Sequence, residues 1–182
     1  MYVTGATLGD RSRTSPNGAY FGESPRLATL ARSIDIYISV EGAKQGKFKG
    51  QTTMVNGSTA RSRVLKFSYG VGSPRDVFTG QVSGKRQHKA LVITKESGAA
   101  TPQFFAALVS NEILKSIVIQ FFRRNATGVN ELQQTITLTN ASISDFRQYV
   151  GDDGRWLEDI TFVFQHIQIE NVPSKTVAAD SW

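Results

Sequence analysis

Residues 34–40 read Ile-Asp-Ile-Tyr-Ile-Ser-Val, in which aliphatic side chains occupy every second position. Side chains on a β-strand point alternately to opposite faces, so this period-two pattern predicts a strand with one buried face. The same alternation recurs at residues 65–69, 116–121 and 135–145. The chain is therefore predicted to fold mainly from antiparallel strands.

Two further segments are predicted to be strands with apolar residues on both faces. Residues 90–94 form a short apolar run, which is typical of a strand buried on both sides. In residues 158–170 the apolar positions change face near Gln165-His166, which indicates either a β-bulge or a strand buried on both faces. A closed monomeric barrel keeps one face polar, so a second apolar face favours an oligomer interface.

One helix is predicted, beginning at Thr101. Thr101 is a suitable N-cap, Pro102 fits the first helical position, and Asn111 suits the left-handed conformation at the end. The expected apolar stripe consists of Phe105, Leu108 and Val109. With seven to nine strands, this predicts a mainly β fold: an antiparallel β-barrel or sandwich with one helix packed at its side and closing one opening.

The 182 residues divide into two predicted parts. Residues 1–33 are rich in Gly, Ser, Thr and Pro, and are expected to form a flexible or partner-ordered arm, whereas residues 34–182 form the barrel domain. The first nine residues lack a charged segment followed by an apolar one, so a cleaved secretory signal is not expected. We expect the protein to be made and folded in the cytoplasm. No apolar run is long enough for membrane insertion.

The sequence offers little that supports catalysis or metal binding. It contains no cysteine, and its two histidines, His88 and His166, lack ligand spacing, so no cofactor or metal is expected. His166 is predicted to be structural. Asp152-Asp153-Gly154 is predicted to be a turn. Glu158 and Asp159 are possible catalytic carboxylates, but a strand-edge pair facing the cations of a neighbouring subunit is the preferred interpretation.

The net charge of +6 leaves nucleic-acid binding open. The most basic segment is Gly84-Lys85-Arg86-Gln87-His88-Lys89, between two predicted strands, and His88 is expected to be exposed or at an interface. It lacks the aromatic residues that stack on single-stranded bases. A contact with acidic residues of another subunit is therefore preferred.

Several of these motifs, in this order, resemble the Hcp (TssD) family of type VI secretion tube proteins, over residues 34–182. The motifs are Gly84-Lys85-Arg86-x-His88, Ile93-Thr94-Lys95-Glu96-x-Gly98, Thr101-Pro102-Gln103, Leu114-Lys115-Ser116, Leu138-Thr139-Asn140-Ala141, Trp156-Leu157-Glu158-x-Ile160-x-Phe162-x-Phe164 and Asp180-x-Trp182.

The resemblance implies a non-enzymatic subunit with a phage tail-tube-like barrel. Six subunits form a ring, and rings stack into a tube inside a contractile sheath. A VgrG spike caps the tube, and effector proteins travel in its lumen. Such proteins leave the bacterial cytoplasm without a signal peptide. The polar segment 42–63 matches the extended arm of the family, which reaches an adjacent ring, whereas residues 1–33 are additional to the family pattern.

The inter-subunit or ring-stacking contacts are expected at nine residues: Lys47, Phe48, Lys49, Lys85, Arg86, His88, Glu96, Glu158 and Asp159. Two other hypotheses stay open at this point. One is a basic β-barrel that binds nucleic acid, for which binding should depend steeply on salt. The other is a secreted effector enzyme, which requires a cluster of perturbed ionisable groups.

Overall fold

The computed structural model describes residues 34–50, 61–125 and 127–181. The predicted N-terminal arm, residues 1–33, and the central part of the predicted extended arm, residues 51–60, lie outside the described residues. No helix among the described residues has the length and apolar character needed to cross a bilayer. The elements are β1 (Ile34–Gly42), β2 (Gly46–Lys47), β3 (Ser62–Val64), β4 (Lys66–Ser68), β5 (Val71–Gly72), β6 (Gln87–His88), β7 (Leu91–Glu96), α1 (Thr101–Val109), β8 (Leu114–Arg124), β9 (Asn130–Val150), β10 (Trp156–Asn171) and β11 (Thr176–Ser181).

The main sheet has the order β2-β1-β8-β9-β10-β7-β4, with β3 added to β1 and β11 added to β10. The segment formed by β3 and β4 closes it. Val64 lies opposite Ile36 of β1, and two residues later Lys66 lies opposite Thr94 of β7. Because one short segment pairs with both ends of the sheet, the antiparallel strands form a closed barrel, which confirms the predicted fold class.

The core fills the barrel and follows the alternation that predicted the strands. In β1, Ile38 and Val40 are buried, whereas Ile34 at the start of the strand is half exposed. The other buried apolar side chains come from the facing strands and from α1; they include Leu91, Ile93, Phe104, Ala107, Leu114, Ile117, Ile119, Ile136, Leu138, Ile160, Phe162 and Phe164.

The last predicted strand corresponds to β10. Its buried positions change phase as predicted, because Phe164 and Ile167 are both buried. The register shift against β9, however, lies earlier, between Thr161 and Phe162. Opposite the phase change, Asn140 of β9 has a φ of 51°, a left-handed conformation that bends the strand.

A strand that the sequence did not predict follows β10. A turn at residues 172–175 leads into β11, which pairs with residues 166–171 of β10. The side chains of β11 are small or polar except Val177, which is exposed. They show no apolar alternation, which is why the pattern failed to predict it.

The helix begins at Thr101 as predicted, but two details of the prediction are wrong. Thr101 makes no capping hydrogen bond to the helix. Its hydroxyl instead accepts the N–H of Gly98 and donates to Glu158. The buried face contains Phe104 and Ala107; of the predicted stripe only Leu108 packs against the core, whereas Phe105 and Val109 are exposed. The reason is that the Phe104 ring lies inside the barrel, with its centroid 5.1 Å from that of Phe48 and 6.4 Å from that of Phe162.

Asn111, just after the helix, adopts the predicted left-handed conformation, with a φ of 48°. The next residue, Glu112, is buried and accepts three hydrogen bonds from the β1–β2 turn: from the N–H of Lys44 (2.6 Å), the N–H of Gln45 (2.9 Å) and the side-chain amide of Gln45 (2.8 Å). Burial alone raises the pKa of this carboxyl, but the hydrogen bonds outweigh it and lower the pKa. Glu112 thus holds the turn against the end of the helix.

Gly42 passes so close to Glu112 that a Cβ atom there would overlap the carboxylate. We expect Gly42→Ala to lower the free energy of unfolding by about 1–3 kcal/mol, the usual cost of overfilling a packed site. Urea denaturation measures this. Gly72→Ala is the matched control, since a Cβ at Gly72 meets nothing within 4 Å. Equal stabilities of the two variants would contradict the predicted role of Glu112.

Candidate functional site

Among the described residues, one ion pair is fully buried inside the barrel. Lys95 of β7 and Glu158 of β10 are directly opposite in the strand register, and both side chains are fully buried. The Lys95 Nζ lies 2.5 Å from Glu158 Oε1. The second carboxylate oxygen, Oε2, accepts the Thr101 hydroxyl at 2.7 Å, and Lys95 Nζ also donates to the carbonyl of Glu96 at 2.8 Å. Two charges removed from water are thereby compensated by each other and by hydrogen bonds.

Asp159, the neighbour of Glu158, points to the other face of β10, as successive residues on a strand do. It accepts hydrogen bonds from the Thr94 hydroxyl (2.6 Å) and the Tyr149 hydroxyl (3.2 Å). The two carboxylates therefore do not converge on a common point, as paired catalytic carboxylates must. The expectation that Glu158 faces the cations of a neighbour is wrong, because its cation is Lys95 of the same chain.

The basic segment at residues 84–89 contacts the C-terminal strand. The Arg86 guanidinium binds the Asp180 carboxylate of β11 through two nitrogens, and its Nη2 also donates to the carbonyl of Ser181 at 3.2 Å. His88 Nε2 lies 2.8 Å from the same carboxylate, and His88 Nδ1 lies 2.6 Å from the Tyr69 hydroxyl. We call Tyr69, Arg86, His88 and Asp180 the C-terminal clamp.

The electrostatics of the C-terminal clamp follow from these contacts. Hydrogen bonds from Arg86, and then from His88, hold the pKa of Asp180 well below its usual range. Burial and the charge of Asp180 raise the pKa of Tyr69. The His88 side chain is only 3% exposed and its ring lies against Phe164. The expectation that His88 is exposed or at an interface is therefore wrong.

The remaining expected contact residues are spread over the surface, apart from one. Phe48 is 3% exposed and packs on Phe104, so the expectation that its side chain touches a neighbour is also wrong. Lys47, Lys49 and Lys85 are exposed. The backbone N–H of Lys49 donates to the side chain of Gln103, and Glu96 pairs with Arg155 at 3.1 Å.

The geometry brings no group of these residues together as a catalytic centre. His166 bonds to the Ser181 hydroxyl at 3.0 Å, in line with the structural role predicted for it. Within residues 34–50, 61–125 and 127–181 there is no group of three or more His, Cys, Asp or Glu side chains arranged to hold a metal ion. These contacts connect β7 and β10 to the start of the helix, and the segment at residues 84–89 to β11.

Residues 37–170 match the family model described as "Type VI secretion system effector, Hcp". This match runs from Tyr37 within β1 to Glu170 near the end of β10 and includes the buried ion pair. The chain belongs to the Hcp family. The resemblance noted in the sequence is thereby confirmed.

Two proteins of Pseudomonas aeruginosa illustrate the relationship to other Hcp proteins. The "Major exported protein" is 34% identical over 161 residues, covering 80% of this chain and 94% of the relative. The solved structure of the "Secreted protein Hcp3" is 30% identical with a TM-score of 0.70, covering 82% of this chain and 99% of the other. A further solved structure, "Crystal structure of Hcp protein", shares the fold with a TM-score of 0.75 at 23% identity, covering 81% and 99%.

Sequence reasoning missed the residues of the same chain that bind the charged side chains of this Hcp barrel. Lys95 and Asp180 were noted only as parts of family motifs, and Glu112 and Tyr69 carried no predicted role. A signal was present for Lys95, because it shares a strand face with the apolar Leu91 and Ile93, and a lysine on a buried face requires a counter-charge. No comparable signal connects Arg86 with Asp180, which lie 94 residues apart in the chain.

Breaking the buried ion pair is expected to destabilise the barrel. Lys95→Met leaves the Glu158 carboxylate buried without its cation, and should lower the free energy of unfolding by about 3–5 kcal/mol. The double variant Lys95→Met/Glu158→Leu removes both charges and should recover most of this loss. Urea denaturation of wild type, the single variant and the double variant measures both effects. A double variant that is less stable than the single one would contradict this account.

Loosening the C-terminal clamp is expected to act locally. Asp180→Asn removes the charge that Arg86 and His88 bind, while the backbone pairing of β11 with β10 stays possible. Hydrogen exchange should become faster at residues 176–181 and remain unchanged in β8. Asp152→Asn, in a surface turn, is the matched control and should alter neither region. Unchanged exchange in β11 of Asp180→Asn would show that backbone pairing alone holds this strand.

Proposed function

We propose that this chain is a structural subunit of a type VI secretion tube, in which six copies form a ring and rings stack into a tube. The observation that carries the proposal is the match to the Hcp family over residues 37–170, which include most of the barrel. The 34% identity to a relative named "Major exported protein" supports export of this chain as well. The proposed role is mechanical and includes no catalytic step.

The fold supports this role physically. A closed barrel with a packed core is a stiff building block, and its strands leave few open edges for unregulated pairing. A ring needs heterologous contacts, in which one surface of a subunit meets a different surface of the next. Lys47 and Lys49 lie next to the segment 51–60 and are the proposed residues through which this arm approaches an adjacent ring. Lys85, Glu96 and Asp159 remain proposed contacts between subunits.

The proposed partners follow from the tube. They are a contractile sheath around it, a VgrG-type spike at its tip and effector proteins in its lumen. The proposed path begins in the bacterial cytoplasm and ends outside the cell or in a target cell. Nucleic acid is not among the proposed partners, because two basic side chains of residues 84–89, Arg86 and His88, already bind Asp180.

Electron microscopy of the purified protein, combined with native mass spectrometry, tests the proposal. We expect uniform rings whose mass is six times that of the chain, with stacks at higher concentration. A protein that stays monomeric at micromolar concentration would contradict the proposal. In that case, oligonucleotide binding as a function of salt concentration becomes the next measurement, with a steep loss of binding expected for a nucleic-acid-binding barrel.

A further inference from the structure

The two ends of the barrel are covered to different degrees. At one end α1 inserts Phe104 against Phe48, and Glu112 after the helix binds the turn that follows Gly42, the last residue of β1. Ile34 is the first of the nine residues of β1. Because a strand rises about 3.3 Å per residue, Ile34 lies roughly 26 Å from Gly42, at the end of the barrel opposite the helix.

This second end is lined by apolar side chains that the described elements leave partly uncovered. Ile34 and Ile36 alternate in phase with the buried Ile38, so they face the interior, and Ile36 lies opposite Phe121 of β8. The Phe121 ring packs on Phe67 of β4, with the ring centroids 5.1 Å apart. Ile34 is 52% exposed, and Ile36, Phe67 and Phe121 are only partly buried. We call Ile34, Ile36, Phe67 and Phe121 the open mouth.

The wall of the barrel is also incomplete beside the open mouth. β3 pairs with residues 36–38 of β1, and the chain then leaves β1 to pair with β7 as β4. On this side of β1, Ile34 and Asp35 pair with none of the described strands. Partly buried apolar side chains next to an unpaired strand edge favour a further segment of protein at this place.

The chain supplies a segment at this place, because residues 1–33 lead directly into Ile34. A chain spans at most about 3.6 Å per residue, so the residues just before Ile34 stay close to the open mouth. The family match begins at Tyr37, and the three relatives cover 80–82% of this chain although 94–99% of their own length is matched. About a fifth of this chain is therefore additional to these relatives, and residues 1–33 precede the family match.

The last part of this segment has the composition that an apolar surface requires. Residues 27–31, Leu-Ala-Thr-Leu-Ala, contain no charged side chain. Ser24 and Pro25 before them form a helix-start signal. A helical turn places Leu27 and Leu30, three residues apart, on the same side.

We infer that residues 27–31 of each subunit cover the open mouth of the same subunit. A segment joined to Ile34 by two residues has a high effective concentration at the open mouth, which no separate molecule matches at ordinary protein concentrations. It also avoids the loss of translational and rotational freedom that a second copy incurs on binding. The contact lies within one chain, so the inference is independent of ring formation and goes beyond the proposed function.

Thiol labelling tests the contact, and the chain is suited to this because it contains no cysteine of its own. Ile34→Cys places a thiol at the open mouth, and Ile113→Cys, the matched control, places one near the end of the helix, where the replaced side chain is 49% exposed against 52% for Ile34. In dilute protein that light scattering shows to be monomeric, we expect Ile34→Cys to react with N-ethylmaleimide about tenfold more slowly than Ile113→Cys, because a covered thiol reacts only when its cover opens.

Two substitutions in the covering segment show whether it provides the protection. Leu27→Ser/Leu30→Ser in the Ile34→Cys chain should raise the labelling rate to that of Ile113→Cys. Tyr2→Ser/Leu8→Ser, which removes two apolar side chains far from Ile34 in the sequence, is the matched control and should leave the protection unchanged.

The outcomes separate this inference from the proposed function. Equal labelling rates at residues 34 and 113 in the monomer overturn the inference, as does protection that survives Leu27→Ser/Leu30→Ser. Protection of Ile34→Cys that develops only on assembly also overturns it, since a second copy then covers the open mouth. A protein that forms no rings but protects Ile34→Cys overturns the tube proposal and supports this inference.

Photo-cross-linking provides a second, independent measurement that separates docking from mere tethering. Benzoylphenylalanine replaces Leu30 in one variant and the adjacent Thr29 in the other, and a helical turn directs these two positions about 100° apart. We expect the probe at residue 30 to link to peptides that contain Phe67 or Phe121 of the same chain, in products that migrate as monomers on denaturing gels, and the probe at residue 29 to give clearly lower yields. Equal yields from the two positions, or links chiefly between chains, would overturn the inference.

Discussion

The buried ion pair between Lys95 and Glu158 sets the arrangement around it. It joins β7 to β10 inside the barrel, and through the Thr101 hydroxyl it fixes where the helix begins. A helix held there inserts Phe104 into the barrel, against Phe48. A buried pair of this kind is a weak source of net stability, but any arrangement that separates its members leaves a charge in an apolar core. Its contribution is to exclude other placements of the helix.

Much of the fold was predictable because the period of apolar residues reports directly on strands. The alternation at residues 34–40 predicts β1, and the run at 90–94 predicts β7. The helix was predictable in place but not in orientation, since both of its faces are apolar and pattern alone does not decide which enters the barrel. β11 escaped prediction because a surface strand held by backbone hydrogen bonds and one acidic side chain leaves no apolar period to detect.

The candidate contacts were less predictable, for a related reason. The sequence identifies Glu158, Arg86 and His88 as ionisable residues, but it does not show which residues they bind. The fold supplies those partners from the same chain, Lys95 and Asp180, at sequence separations of 63 to 94 residues. Among the described residues, exposed large apolar side chains occur on several elements, including Phe78 of the β5–β6 hairpin, Val109 of the helix and Trp156 of β10. The sequence shows which side chains are charged, but only the fold shows which apolar side chains are exposed to solvent.

The position of β10 has a mechanical consequence. One of its edges pairs with β9 along nearly the full strand, and the other pairs first with β7 and then with β11. A load directed along β10 acts on these ladders in shear, so that many backbone hydrogen bonds must break together. A load that lifts β11 sideways from β10 breaks these hydrogen bonds one at a time. The barrel is thus strong against thrust along its longest ladders and weak against peeling of β11.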